Sequence, residues 1–233
     1  MANQELLVRV MSDFARTLAG NFAVSDVLHD LAEQVTEVLG VQGAGVSLAH
    51  RGSIRFVAAI GEVTAAIERV QEDTQEGPCV DAHRTGELVL VADIRDEPRR
   101  WPAFAPRARE LGIMAVAGIP MSWDGTRLGG LDLYATARRD WLTDDVVAAR
   151  VLADMATCYV AHASELERSR RTVEQLQEAL KSRVVIEQAK GMLAAGRNIS
   201  VNEAFDLIRR HARSHSASLR AVSEAIVELG LRL

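Results

Sequence analysis

The chain has 233 residues, 48% hydrophobic and 25% charged, with 16 glycines and only 5 prolines. That composition excludes a collagen-like, disulfide-stapled or mostly disordered protein, and the length fits two compact units. The net charge of −5 hides a division, because 15 basic against 23 acidic residues give −8 over 1–164, while 12 against 9 give +3 from Glu165 onward. A basic tail on an acidic body is expected where only the tail meets nucleic acid.

Lys181 and Lys190 are the only lysines. The first 180 residues therefore hold no P-loop, phospho-receiver or Schiff-base lysine. Cys79 and Cys158 are the only cysteines and make no disulfide framework. No apolar run approaches the roughly 20 residues of a membrane span, and the start MANQELLVRVMSDFA lacks the pattern of a signal peptide. The expectation is a cytoplasmic protein with no membrane partner.

A helix is predicted over 3–19, where Leu6, Leu7, Val10, Met11, Phe14 and Leu18 recur at helical spacing before Gly20-Asn21 breaks it. Ser25 is expected to cap a second helix reaching Leu39, with Val27, Leu28, Leu31, Val35 and Val38 inward. After Gly40 the pattern becomes that of strands, 44–49 and 54–60, joined by His50-Arg51-Gly52-Ser53. A short helix over 63–72 and another opening at Gly77-Pro78 follow. Strands are then expected at 88–92, 114–121 and 128–135, the last two turned by Trp123-Asp124-Gly125. A long helix starts at Thr143, with Asp144 and Asp145 favouring the dipole in its first turn. This order implies an α+β sandwich, an antiparallel sheet with helices on one face.

No Gly or Pro interrupts residues 152–180. A seven-residue register places Leu152, Tyr159, Leu166, Val173 and Leu180 at one seam position and Met155, His162, Ser169 and Leu176 at the other. A single solvated connector satisfies this pattern. A short parallel coiled coil, loosened at His162 and Ser169, also buries the apolar positions and is the reading adopted, with a homodimer as its consequence. The tail shows three helical segments. The first, over 180–195, stops at Gly196-Arg197-Asn198. The second opens on a capping box, Ser200-Val201-Asn202-Glu203, and turns Val201, Ala204, Phe205, Ile208 and Ala212 inward. The third follows a serine-rich turn at 214–218, with Leu219, Val222, Ile226 and Leu229 inward and Gly230 at its end.

At 100° per residue, Val185, Ile186, Ala189, Met192 and Leu193 share one arc of the first tail helix, and Arg183, Glu187 and Lys190 fall opposite. Gly191 lets a bulky partner such as a nucleic-acid backbone come close, and Arg209, Arg210 and Arg213 add positive charge. A solvated charged face has the same pattern. In the body, Cys79 and His83 stand one helical turn apart. They can face one small ligand, a metal or haem, pair a nucleophile with its base, or be a packed thiol beside an exposed histidine. Two groups leave a zinc shell incomplete, so no metal or cofactor is expected. His211 and His215 repeat the spacing without a third ligand. Trp101 either closes over a ligand or packs.

Residues 176–229 contain Ala179-Leu180-Lys181-Ser182-Arg183, Val185-Ile186-Glu187-Gln188-Ala189-Lys190-Gly191, Glu203-Ala204-Phe205 and Leu207-Ile208-Arg209, followed by 219–222. Through these residues the stretch strongly resembles the ANTAR family. Modules of that family are three-helix units that bind RNA and act in transcription antitermination. The resemblance implies RNA contact by Arg183, Lys190 and Gly191, with Arg209 and Arg210 nearby, and core roles for Ala189, Ala204 and Phe205. Ala194 departs from the Met often found there.

Residues 23–163 contain Glu76-Gly77-Pro78-Cys79-Val80-Asp81-Ala82, Arg84-Thr85-Gly86, Arg100-Trp101-Pro102-Ala103-Phe104 and Gly129-Gly130-Leu131-Asp132-Leu133-Tyr134. Through these residues the stretch is similar to a GAF domain of the kind fused to actinobacterial ANTAR modules. GAF domains are regulatory and often bind small molecules between the sheet and its helical excursion, which implies an unknown small-molecule ligand here, with Cys79, His83 and Trp101 as candidate contacts. The expected organisation is an N-terminal helix (1–22), an α+β GAF sensor (23–163), a coiled-coil connector (164–175) and an all-α three-helix ANTAR domain (176–233). The function implied is a non-enzymatic, ligand-responsive antitermination regulator that binds RNA stem-loops. Its rivals are a GAF-type redox enzyme using Cys79, which lacks a resolving thiol nearby, and a dimeric interaction protein without RNA binding.

Overall fold

Two tight hairpins set the sheet of the first unit. Arg51-Gly52 and Asp124-Gly125 all have positive φ, the backbone that two-residue hairpin loops need to match strand twist. The first loop joins β1 (Gly43–His50) to β2 (Ser53–Ala59), and the second joins β4 (Ala115–Trp123) to β5 (Thr126–Ala135). With β3 (Val89–Val91) they form a five-stranded sheet in the order β2-β1-β5-β4-β3, antiparallel at every pairing. The computed structural model describes residues 3–17, 22–97 and 99–233. Its chain divides into two units, Met1–Ser164 and Glu165–Leu233.

Helices cover both faces of this sheet, which corrects the expectation of one covered face. On one side, α1 (Gln4–Thr17), α2 (Val24–Leu39) and the start of α6 (Thr143–Arg197) bury Phe14, Leu28, Leu31, Leu152 and Tyr159 against Leu131 and Leu133 of β5. On the other side, α3 (Glu62–Thr74), α4 (Pro78–Thr85) and α5 (Phe104–Glu110) pack Ile67, Ala82 and Phe104 against Val116 and Tyr134. The strand period of two makes this possible, since Leu131 and Leu133 point one way and Asp132 and Tyr134 the other.

Three local expectations also change. Helix α2 begins at Val24 with Ala23 in the cap position, and the Ser25 hydroxyl, already inside the helix, lies 3.2 Å from Asp26 instead of capping. Leu18, Gly20 and Asn21, expected to end the first helix, lie outside the described residues. Helix α5 is an addition, since no element was expected between the strands at 88–92 and 114–121. Pro106 sits in the first turn of α5, where a missing N–H costs nothing.

In the second unit, α6 runs on to Arg197 and is followed by α7 (Val201–Ser214) and α8 (Leu219–Leu229). Ala189, Leu193, Ala204, Ile208, Ala212, Val222 and Ile226 form its core. The capping box at Ser200 and Glu203 is present in both directions, and Ser218 caps α8. Val201 and Leu229, expected inward, are exposed. They are the first residue of α7 and the last of α8, where a short helix runs past its neighbours.

The register of α6 also needs correcting. Leu152 and Tyr159 are buried in the first unit, Tyr159 edge-on to Phe14 and donating its hydroxyl to the Phe22 carbonyl at 2.8 Å. Neither is free for a seam between copies. By length and apolar content α6 is able to cross a membrane, but 44% of its most apolar stretch is buried inside the protein, so that apolar character already has a packing role.

Candidate functional sites

Helix α3 presents Thr64, Ile67, Glu68 and Gln71 to the sheet, a stripe at helical spacing in which three of four side chains are polar. Glu68 and Gln71 are buried there with Ser47 of β1 and Asp132 and Tyr134 of β5. Tyr134 Oη donates to Glu68 Oε1 at 2.8 Å and Ser47 Oγ to Glu68 Oε2 at 3.0 Å. Gln71 Nε2 donates to Tyr134 Oη at 2.8 Å and to Asp132 Oδ2 at 3.3 Å. Gln71 Oε1 accepts from the Cys79 amide at the start of α4, 2.9 Å away. Glycines make the room, since a Cβ on Gly45 would stand 2.2 Å from the Glu68 carboxylate and one on Gly130 2.7 Å from the Cys79 sulfur.

Among the described residues no cation offsets the two carboxylates. Burial raises Glu68 to about 7 against the opposing hydrogen bonds of Tyr134 and Ser47. Burial and then the neighbouring Glu68 charge push Asp132 well above the usual carboxylate range, and its Oδ1 has no hydrogen-bond partner among the described residues. Two like charges in a dry site cannot both ionise cheaply, so the pair retains a proton up to near-neutral pH.

The structure separates the sequence-predicted contacts. Cys79 is buried beneath α4, and burial, then Asp132 and Glu68, push its thiol well above the usual range. A thiol so held is protonated and a poor nucleophile. His83, one turn on, is half-buried in a different place, a groove of about 460 Å³ shared with Arg84, Arg127 and the β1–β2 turn. Burial and then Arg127 lower its pKa. Trp101 is 2% exposed. Its indole N–H donates to Asp81 Oδ2 at 3.1 Å and its ring meets Phe104 edge-on at 5.6 Å, so it is a core side chain. Among the described residues no group of three or more His, Cys, Asp or Glu side chains is placed to hold a metal. His211 and His215 stack on each other at 4.1 Å.

In the tail, Lys190 is not opposite the core, as the helical arc implied, but on its flank. Its ammonium is 2.8 Å from both Glu187 carboxylate oxygens and 5.3 Å from the Phe205 ring centroid on α7. Arg183 is exposed. Arg209 is exposed one turn after Phe205 on the same flank of α7, 3.8 Å from Asp206, and Arg210 is also exposed, 100° further round. Arg197, expected only at the helix end, follows Lys190 by the same seven residues that separate Lys190 from Arg183. The three cations thus form one line along α6.

A Cβ on Gly191 would meet nothing within 4 Å, so packing within the chain does not require glycine there. A mid-helix glycine costs roughly 0.5–1 kcal/mol against alanine. Gly191 also follows Val184 by seven residues, which places it in line with an exposed apolar stripe of Leu166, Val173, Leu176, Leu180 and Val184.

The GAF domain family model matches residues 23–158 and the ANTAR domain model matches residues 174–227. No curated protein matches the chain significantly. Among solved structures, the GAF domain of an Acinetobacter phosphoenolpyruvate-protein phosphotransferase is 16% identical, with a TM-score of 0.56 over 71% of this chain and 97% of that one. The GAF domain of the corresponding Coxiella burnetii protein is 18% identical, with a TM-score of 0.56 over 72% and 99%. A free methionine-R-sulfoxide reductase from Neisseria meningitidis, in complex with its substrate, is 16% identical, with a TM-score of 0.55 over 71% and 96%. At these identities the likeness is one of fold.

Proposed function

Because the chain belongs to the GAF domain family and carries an ANTAR domain in its tail, we propose that it is a cytoplasmic, ligand-responsive transcription antitermination regulator that binds RNA stem-loops and catalyses no reaction. The observation that carries the RNA assignment is the line of Arg183, Lys190 and Arg197 on α6, with Phe205 beside Lys190 and Arg209 one turn further along α7. Cations at regular spacing neutralise phosphates, and an aromatic edge at their flank suits unstacked bases. A phosphate competes directly with Glu187 for Lys190.

The small-molecule signal enters between the sheet and α3. A ligand there displaces the Glu68–Gln71–Tyr134 bonds and shifts β5, whose opposite face holds Leu131 and Leu133 against the start of α6. The protonated, buried Cys79 thiol argues against the redox rival. A homodimer is part of the proposal and rests on the exposed apolar stripe of α6, which begins at Leu166 once Leu152 and Tyr159 are assigned to the core.

Arg183→Ala and Lys190→Ala are each expected to weaken binding to RNA carrying paired small stem-loops by about tenfold, and to lower the salt slope by about 0.7–0.9 per lost phosphate contact. Helical content should not change. Unchanged affinity in both variants, measured by gel shift at fixed salt, would sink the RNA assignment. Gly191→Ala is expected to stabilise the tail by about 0.5–1 kcal/mol and still to lower RNA affinity. If affinity holds while the oligomeric state shifts, Gly191 belongs to the helix seam.

A further inference from the structure

Between the end of α6 and the end of α8 lies a half-open groove of about 520 Å³, within the size range of small-ligand sites. Leu193 and Ile226, both core residues, form its floor, and Met192, 50% exposed, forms a wall. Arg197 and Arg232 stand at the exposed rim, and none of the lining residues carries a carboxylate. Gly196 opens onto it, and a Cβ there would meet nothing within 4 Å. The helix thus tolerates a second glycine for which the chain's own packing gives no reason.

We infer that this groove receives one unpaired base of the bound RNA. The inference rests on the RNA-binding reading and goes beyond it by assigning a base pocket where no contact was expected. An apolar floor next to two exposed guanidiniums, neither in an ion pair among the described residues, complements a flat group joined to phosphates, because the base buries its face while the arginines meet its flanking phosphates or stack on it. Position supports this too. Arg197 closes the line begun by Arg183 and Lys190, so the groove lies at the end of the phosphate track. A purely apolar partner would leave both arginines unpaired, and a fully paired RNA helix would offer no base to fill the groove.

The test uses the full chain labelled at its methionine methyls, because Met192 is the only methionine after residue 164. The probe is the tightest binder from a pool of RNA hairpins with randomised loops, alongside the same hairpin with an abasic loop. The intact loop is expected to shift the Met192 methyl upfield in a saturable way and to bind about tenfold or more tightly than the abasic one. Gly196→Leu, which plugs the groove with a good helix former, should abolish that preference, and the milder Gly196→Ala should reduce it. A silent Met192 methyl, or a loop preference unchanged in both variants while Arg183→Ala still weakens binding, would overturn the base pocket and leave the RNA reading standing. Failure of every hairpin in the pool to bind the wild-type chain would overturn both.

Discussion

Glu68→Gln is expected to stabilise the first unit near neutral pH relative to the wild type, and to flatten its dependence on pH. Glu68 titrates at about 7 in the folded protein against an ordinary 4.5. Between those values the native state holds a proton that the unfolded chain has released, so stability falls as pH rises. The contribution is fully present below about 4.5 and is lost as pH climbs through 7. At 1.36 kcal/mol per unit the loss is about 3 kcal/mol, and Asp132, shifted the same way, adds to it. Glutamine keeps an acceptor for the Tyr134 hydroxyl, and its amide can donate to Ser47, whose hydroxyl rotates to accept. All three tryptophans, Trp101, Trp123 and Trp141, lie before residue 165, so their fluorescence reports this unit alone. Urea titrations from about pH 5 to about pH 7.5 should show the wild type losing stability more steeply than the variant. Parallel profiles would mean that Glu68 is ionised in the fold and that the cluster is no proton-holding site.

That cluster was the part of the protein least legible in the sequence. The hairpin turns, the strands of the sheet and the caps of α7 and α8 were readable because each depends on local chemistry, such as positive φ at Arg51-Gly52 or the Ser200–Glu203 box. The fault lay in the layer count. A sheet covered on one face only would turn Asp132 and Tyr134 towards solvent, because they alternate with Leu131 and Leu133, and would leave Glu68 and Gln71 of α3 no buried layer to join. The signal that was available is the glycines Gly43 and Gly45 on β1 and Gly130 on β5, because missing Cβ atoms there mark a close approach by α3 and α4 from a second helical layer.

The tail misled in a milder way. A helical arc drawn from hydrophobicity puts Met192 inside and Lys190 outside, yet Met192 is half exposed and the Lys190 side chain is mostly buried, its ammonium over the Phe205 ring. A long aliphatic stem ending in a charge sits comfortably at the flank of a core, and periodicity alone cannot separate flank from opposite face. The core side of α6 is marked by the small residue Ala189 and by Leu193, where α7 and α8 approach. Leu152 and Tyr159 fit a seven-residue seam equally well as residues of the sensor core, because a helix has only one apolar pattern with which to meet either neighbour.

Charging the remaining stripe is expected to separate the two copies of the proposed dimer. Leu166, Val173, Leu176, Leu180 and Val184 fall within an arc of about 80° on α6, centred opposite Ala189, and all are at least 40% exposed. Such a stripe of five large apolar side chains on one helix is the signature of a partner helix, with Ser169 as a weak point between its first two members. Leu176 and Leu180, 66% and 63% exposed, bury little within the chain, and glutamate is nearly as good a helix former as leucine. Leu176→Glu with Leu180→Glu therefore leaves each copy folded and sets like charges against each other across the seam. The wild type should be a dimer by light scattering at micromolar concentration, and the double variant a monomer. Two linked heads raise affinity for paired stem-loops by about 10²–10⁴ when the spacing fits, so the variant should lose most of that gain while binding a single stem-loop as the wild type does. A monomeric wild type would discard the seam outright. A variant that separates and still binds paired loops at full strength would show that the heads act alone, and the stripe would then have no part in RNA recognition.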